Sequence, residues 1–297
     1  MHRSGTTWVG KMIAASSELA YISEPLNVLH RPGVMRVPTP YWYTYINQHN
    51  EQDFLAAFQE TINFKYQILK ELGSLHSSKD LLRMGRDWNT FLQGRILKQR
   101  ALIKDPFAIF SAPWFEKRLD CKVIITIRHP AAVTSSLIRL GWSFDFTNLL
   151  AQKNLMQDWL EIHREELESM IKKPDDKIGQ ACLLWKLIYN IVSEFQETFP
   201  GFQIVRHEDL SKDPVHGFDD LYQYLDLNFS QRIKKTILES SSANNPKQLA
   251  KKNVHSVRLD SQANLMNWKN RLDQDEITRI RNLTEDTASR YYSDEDW

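Results

Sequence analysis

Arg3-Ser4-Gly5-Thr6-Thr7-Trp8 is the stretch of this sequence whose residue types and spacing point most directly to chemistry. A guanidinium, a turn-forming glycine and two hydroxyls stand immediately before Val9, Met12 and Ile13, which are apolar at helical spacing. Such a string describes a loop that opens a helix beneath an anion. The orphan N–H groups and the positive end of the helix dipole favour a phosphate or a sulfate there. Gly5 lets the backbone approach closely, Thr6 and Thr7 add hydroxyl donors, and Arg3 adds a charged fork. An ordinary helix cap is the plain alternative. The loop departs from that of the nucleotide triphosphatases, because no Gly-Lys-Ser/Thr follows at the required spacing and Lys11 is expected to face solvent. That weighs against ATP or GTP as donor.

Three further places put a chemically able side chain at the end of an apolar run. Glu24 follows Leu19-Ala20-Tyr21-Ile22-Ser23, and Pro25 biases it toward an extended backbone. Lys104 closes Ala101-Leu102-Ile103 ahead of Asp105-Pro106, at a strand exit, where ligands gather in open α/β sheets. Arg128 closes the β-branched run Lys122–Ile127, with Pro130 at the start of the next helix and Ser136 along it. Arg and Ser together offer a planar fork and a neutral donor to one phosphate. The plain alternatives are a surface Glu24, a Lys104 paired with Asp105, an Arg128 that caps a sheet edge and a Ser136 that packs on its helix. Later, Ser256 and Arg258 lie in a Ser/Asn/Lys-rich stretch, Ser240 to Asp260, without periodicity; it reads as a mobile loop able to close over a nucleotide, or simply as a solvated basic loop.

Taken in order, these strings resemble the sulfotransferases that use 3′-phosphoadenosine-5′-phosphosulfate (PAPS). The Arg3–Trp8 loop resembles their phosphosulfate-binding loop. Glu24-Pro25 looks like the pair of the carbohydrate sulfotransferases, at the site where tyrosylprotein sulfotransferases hold the catalytic Glu. Lys104-Asp105-Pro106-Phe107-Ala108 is similar to the stretch whose Lys acts on the leaving group, and Arg128 and Ser136 recur at the spacing that grips the 3′-phosphate. His255-Ser256-Val257-Arg258, Trp268-Lys269-Asn270-Arg271-Leu272 and Glu276-Ile277 resemble the carboxy-terminal pattern of the carbohydrate enzymes, in which a loop meets the 3′-phosphate above a Trp-bearing helix. Two positions depart from family habit. Pro106 replaces the His of cytosolic small-molecule members, which shifts the base to Glu24, and His207 stands where Tyr is common. The resemblance implies in-line sulfuryl transfer, with Glu24, Lys104 and Arg3 catalytic and Ser4 to Trp8, Arg128, Ser136, Ser256 and Arg258 on the donor. The acceptor hydroxyl it favours belongs to a saccharide or glycolipid, with lipid or peptide hydroxyls behind. A nucleotide kinase and a non-catalytic nucleotide-binding or interaction protein are the other classes.

The elements that must position these groups are those of an α/β chain. With 297 residues, 42% hydrophobic and 25% charged, a single domain spanning 1–297 is expected. The resemblance makes it a three-layer α/β/α, P-loop-like sulfotransferase fold with a central, mainly parallel sheet. Helical insertions over about 30–100 and 142–178 are expected to build the acceptor side. Helices are read over 51–72, 79–99, 107–119, 131–140 and 178–198, and a further strand over 202–206. Tyr41-Trp42-Tyr43-Thr44-Tyr45 is core or an acceptor platform. No strand-length segment precedes the loop, so either the gene model starts late, which is the favoured expectation, or the sheet lacks the strand that usually anchors such a loop. A net charge of +1 gives no footprint for nucleic acid. Cys121 and Cys182 lack metal or redox spacing, which suggests reduced thiols and a cytoplasmic protein. No signal peptide and no apolar run of bilayer length is read. The nine His form no zinc motif, so no metal is expected to be required. Oligomeric state is not legible.

Overall fold

The computed structural model describes residues 1–248 and 257–297. They group into two compact units, Val9–Cys121 and Met1–Trp8 with Lys122–Trp297.

The first unit is organised on one pair of parallel strands. Helix α1 (Thr6–Ile13) enters it from the loop and buries Val9, Gly10, Met12 and Ile13. Strand β1 (Leu19–Ser23) follows, then α2 (Glu51–Ile62), α3 (Ile68–Leu72), α4 (Ser78–Ile96), strand β2 (Arg100–Lys104) and α5 (Ala112–Leu119). β1 pairs with β2 in parallel from Leu19 opposite Arg100 to Ser23 opposite Lys104. Ser77 caps α4 by accepting the Asp80 N–H at 3.2 Å, the arrangement expected of a Ser just ahead of a helix. Ala20, Ile22, Val34, Phe64 and Phe91 form a core that covers this strand pair. The helix read over 51–72 is broken at Phe64, which adopts φ 56° and turns its ring into that core. Burying such a ring is worth roughly 1.5–3 kcal/mol and outweighs the strain of a left-handed residue.

The second unit repeats the device. Strand β3 (Ile124–Ile127) leads into α6 (Pro130–Leu140), with Pro130 in the first turn and Gly141 ending the helix at φ 69°. The segment 142–173, read as helical throughout, is α7 (Thr147–Leu150), α8 (Lys153–Leu155), a π turn at Met156–Leu160, a 3-10 turn and α9 (Arg164–Ile171). Asp145 accepts the Thr147 N–H at 2.9 Å and starts a fresh helix there. Then come α10 (Lys177–Thr198), strand β4 (Gln203–Arg206), α11 (His207–Lys212), α12 (Pro214–Tyr224), α13 (Gln231–Ser241), α14 (Ser261–Leu265) and α15 (Gln274–Ala288). β3 and β4 are parallel, Ile124 opposite Gln203 through Ile127 opposite Arg206.

α10 is the backbone of this unit, because Trp185, Ile188, Tyr189 and Val192 are fully buried along it. It also fixes the exit of β3: Tyr189 Oη donates to the Thr126 carbonyl at 3.0 Å and Trp185 Nε1 to the Arg128 carbonyl at 2.9 Å. Trp268 lies in a turn after α14, not on a helix, and stacks on His129 with ring centroids 5.0 Å apart. The α/β class and parallel pairing match the expectation. Hydrogen bonding divides the strands into two pairs, β1–β2 and β3–β4. Among the described residues, no helix is long and apolar enough to cross a membrane, and Cys121 and Cys182 are both free thiols.

Candidate active site

The loop residues converge with β3 and α6 as the sequence suggests, but with a different division of labour. Arg3 sits at φ 66° and Gly5 at φ 91°, so the chain turns twice through left-handed backbone before α1 begins. A Cβ on Gly5 would lie 2.1 Å from Cδ2 of His207, so the position requires glycine for both backbone and space. Gly5→Ala is therefore expected to destabilise the fold by more than about 1 kcal/mol and to lower Tm by at least about 2–4 °C in a calorimetric scan.

Ser4, expected among the donor-binding residues, is fully buried instead. Its hydroxyl donates to the Met1 carbonyl at 2.6 Å and pairs with Thr126 Oγ1 of β3 at 2.8 Å. It ties the loop to the strand rather than facing a ligand. Trp8 also has a structural partner, since its indole N–H donates to Ser240 Oγ at 3.0 Å and its ring packs edge-on against His207 and Phe218.

Around this loop lies a cavity lined by Arg3, Gly5, Thr6, Thr7, Trp8, Arg128 and Ser136, together with Arg139, Asn264 and Arg271. Arg3 Nε donates to Ser136 Oγ at 3.0 Å, and Arg128 Nη1 to the Arg3 carbonyl at 3.3 Å. Burial, then the charges of Arg128 and Arg139, lower the Arg3 pKa to about 10. Cations held together against their own repulsion, beside the N–H groups of a helix start, make a receptor for a polyanion. Arg139 and Arg271 were missed from the sequence. Arg139 stands three residues after Ser136 on α6, and that helical spacing was the available signal. Arg258 is exposed and is not among the residues lining this cavity, whereas Val257 and Leu259 are. Ser256 lies outside the described residues. His207 lines the cavity wall and is held neutral by burial and by Arg128.

In the unit built on β1 and β2, the register brings the two expected catalytic groups together. Glu24 adds one more rung to the ladder, its N–H donating to the Lys104 carbonyl at 2.8 Å. Lys104, 6% exposed, forms an ion pair with Glu24 Oε1, and Asn27 Nδ2 donates to Oε2 at 2.8 Å. The extended backbone expected from Pro25 is not found, because Glu24 takes φ 51° and starts a tight turn whose carbonyl accepts the Asn27 N–H at 3.1 Å. The turn points the carboxylate back at Lys104. One helical turn after the Thr6-Thr7 pair, Gly10 packs on the lysine stem; a Cβ there would meet Lys104 Cγ at 2.8 Å. Lys11 is exposed, as expected.

Asp105 was read only as a plain partner for Lys104, and it does more. Its carboxylate accepts the N–H groups of Leu26 at 2.6 Å and Phe107 at 2.9 Å, fixing the loop that carries Glu24. Burial, with help from the Glu24 charge, raises its pKa from 3.8 to about 7. An acid whose pKa is raised on folding binds more protons folded than unfolded, so its contribution to stability falls as pH rises from about 4 to 7 and is level above. Asp105→Asn, neutral throughout, is expected to narrow its stability deficit over that window in urea melts at pH 4.5, 6 and 7.5. A deficit independent of pH would contradict this.

Glu24 opens into a cavity of about 170 Å³ lined by Asn27, His30, Arg31, Arg83, Arg86, Asp87 and Thr90, with Tyr21 and Phe91. The Tyr41–Tyr45 aromatics do not line it. Tyr43 is fully buried and packs on Phe107 and Phe110, so that cluster is core. Among the described residues no group of His, Cys, Asp and Glu is placed to hold a metal ion.

The family profile described as Sulfotransferase domain matches residues 1–291. The chain therefore belongs to the sulfotransferase family, enzymes of class EC 2.8.2.- that use PAPS as co-substrate. Among solved structures it is similar to the sulfotransferase domain from the curacin biosynthetic pathway, at 16% identity over 95% of this chain and 93% of that one, with a TM-score of 0.45. It is also similar to sulfotransferase STF9 from Mycobacterium avium, at 12% identity over 98% and 75% of the two chains, with a TM-score of 0.45. No curated protein matches the sequence.

Proposed function

We propose that this sulfotransferase acts on a hydroxyl of a saccharide or glycolipid, with Glu24 as general base. The observation that carries the proposal is the lining of the Glu24 cavity, where amide, imidazole, guanidinium, carboxylate and hydroxyl groups outnumber apolar ones. Several of these groups already pair with one another, Arg86 with Asp87 and Asn27 with Glu24, and a polyhydroxylated ring can add hydrogen bonds to them where an apolar alcohol adds none.

In the reaction, the acceptor oxygen attacks sulfur as its proton passes to the Glu24 carboxylate. The new O–S bond forms while the bond from sulfur to the 5′-phosphate oxygen breaks, and the electron pair leaves on that phosphate. A sulfate ester and 3′-phosphoadenosine-5′-phosphate (PAP) result. Catalysis of this kind rests chiefly on positioning and charge stabilisation, by analogy with phosphoryl transfer. The family resemblance assigns Lys104 to charge on the leaving group, and the N–H groups of Gly5 to Thr7 are assigned to the anion that their own loop receives. The bond from Arg3 to Ser136 favours assigning Arg3 to the 3′-phosphate, with Arg128 and Ser136, over the role at the sulfuryl group that the resemblance implies.

Transfer from labelled PAPS to neutral saccharides, glycolipids and tyrosine peptides tests the acceptor class. Label in the saccharide or glycolipid fraction is expected. Label confined to the peptides would overturn it.

A further inference from the structure

Helix α4 carries its large apolar side chains on the side that faces water. Leu81, Leu82, Trp88, Leu92 and Ile96 are between 40% and 76% exposed. At about 100° per residue, Leu81, Trp88, Leu92 and Ile96 fall within an arc about 80° wide and form a stripe about 22 Å long. The buried residues of the helix, Phe91 and Gly94, lie about 100° or more around the axis from the centre of that stripe. An ordinary surface helix points its apolar arc inward. On α3, the preceding helix, Leu69 is 86% exposed. An apolar surface of this extent marks an interaction site.

The charge around the stripe says what it meets. Residues 65–100 hold eight Lys and Arg against three Asp and Glu, in a chain whose net charge is +1 overall. Asp80 pairs with Arg83, Asp87 with Arg86 and Lys65 with Glu60, while Glu71 pairs with Arg31, so the excess of positive charge comes from the other cations, among them Lys70, Lys79, Arg95 and Lys98. We propose that α4, with α3, docks on an anionic phospholipid bilayer, the stripe entering the headgroup boundary with Arg95 at its edge and the net positive charge of the segment drawn to the lipid phosphates. A Trp- and Leu-rich face with Lys and Arg on the opposite, polar face is the pattern of a helix lying in a membrane interface. A second copy of this chain is disfavoured as occupant, because it would set two strongly basic faces against each other.

Flotation of the full chain with vesicles tests it. Binding to phosphatidylglycerol–phosphatidylcholine vesicles is expected to exceed binding to pure phosphatidylcholine at least tenfold and to fall as salt rises. The exposed triple substitution Leu81→Asn, Trp88→Gln and Leu92→Asn is expected to cut binding at least tenfold, and Lys79→Glu with Arg95→Glu to do so without touching the stripe. Stabilisation by PAP, retained in both variants, shows that they are folded. No flotation with either vesicle, or equal flotation of wild type and both variants, would overturn the proposal. A dimer dissolved by the triple substitution, without vesicle binding, would assign the face to self-association instead. Vesicle binding requires no sulfuryl transfer, so its failure is distinct from failure of the acceptor assignment.

Discussion

Glu24→Gln is expected to lower kcat for sulfuryl transfer by about 10²–10⁴-fold, the range for loss of a positioned general base, while PAP still stabilises the protein. Glutamine keeps the shape of the side chain and its contact with Asn27, but it takes no proton from an attacking hydroxyl. The substitution also leaves the buried Lys104 without its carboxylate, and removing one partner of a buried pair is costly. Some fall in Tm is therefore expected as well, and the nucleotide-induced shift separates that from misfolding. Kinetics under saturating PAPS, with a melting curve for each sample, check the prediction. A loss of less than tenfold would remove Glu24 from the reacting atoms and leave it as the partner that positions Lys104. No transfer by the wild type, together with an intact cellular role for Glu24→Ala, would favour a non-catalytic protein on this fold.

Arg128→Ala is expected to weaken PAP binding by about 10–100-fold, corresponding to the roughly 1.5–3 kcal/mol of hydrogen bonds to a charged group. At a PAP concentration about 100 times the wild-type Kd, the wild type gains about 2.7 kcal/mol of apparent stability, and the variant gains far less. The bond from Trp185 to the Arg128 backbone carbonyl survives the change, so β3 keeps its anchor on α10. Thermal scans with PAP and with ATP, on both proteins, provide the measurement. A shift with ATP alone would put a nucleotide kinase in place of the donor reading. A shift with PAP that is undiminished in the variant would move the 3′-phosphate away from Arg128.

What the sequence made legible follows from how local its causes are. Short apolar runs ending in Lys104 and Arg128, the second of them β-branched, declared strands β2 and β3, and Pro130 declared the start of α6, because those signals act within a few residues. The turn at Glu24 was misread, since Pro25 alone argues for extension, while the hydrogen bond to the Lys104 carbonyl that decides the matter comes from a strand 80 residues away. Ser4 was assigned to a ligand for the same reason: nothing near it in the chain shows that Thr126 is waiting for its hydroxyl. The break at Phe64 was hidden because its reward is a ring placed among Ala20, Ile22 and Phe91. Arg271 was inside a quoted motif yet given no role, because only the fold brings it to the wall that Arg3 and Arg128 share.

The gathering of Arg3, Arg128 and Arg139 has a consequence for the life of the protein in a cell. Like charges packed at one cavity lower the stability of the folded chain, and a bound polyanion restores it by mass action. Since a change of about 1–2 kcal/mol alters how much of a protein escapes quality control, the amount of this enzyme is expected to rise and fall with the supply of its own nucleotide. Abundance would then follow the sulfur economy of the cell with no dedicated regulator.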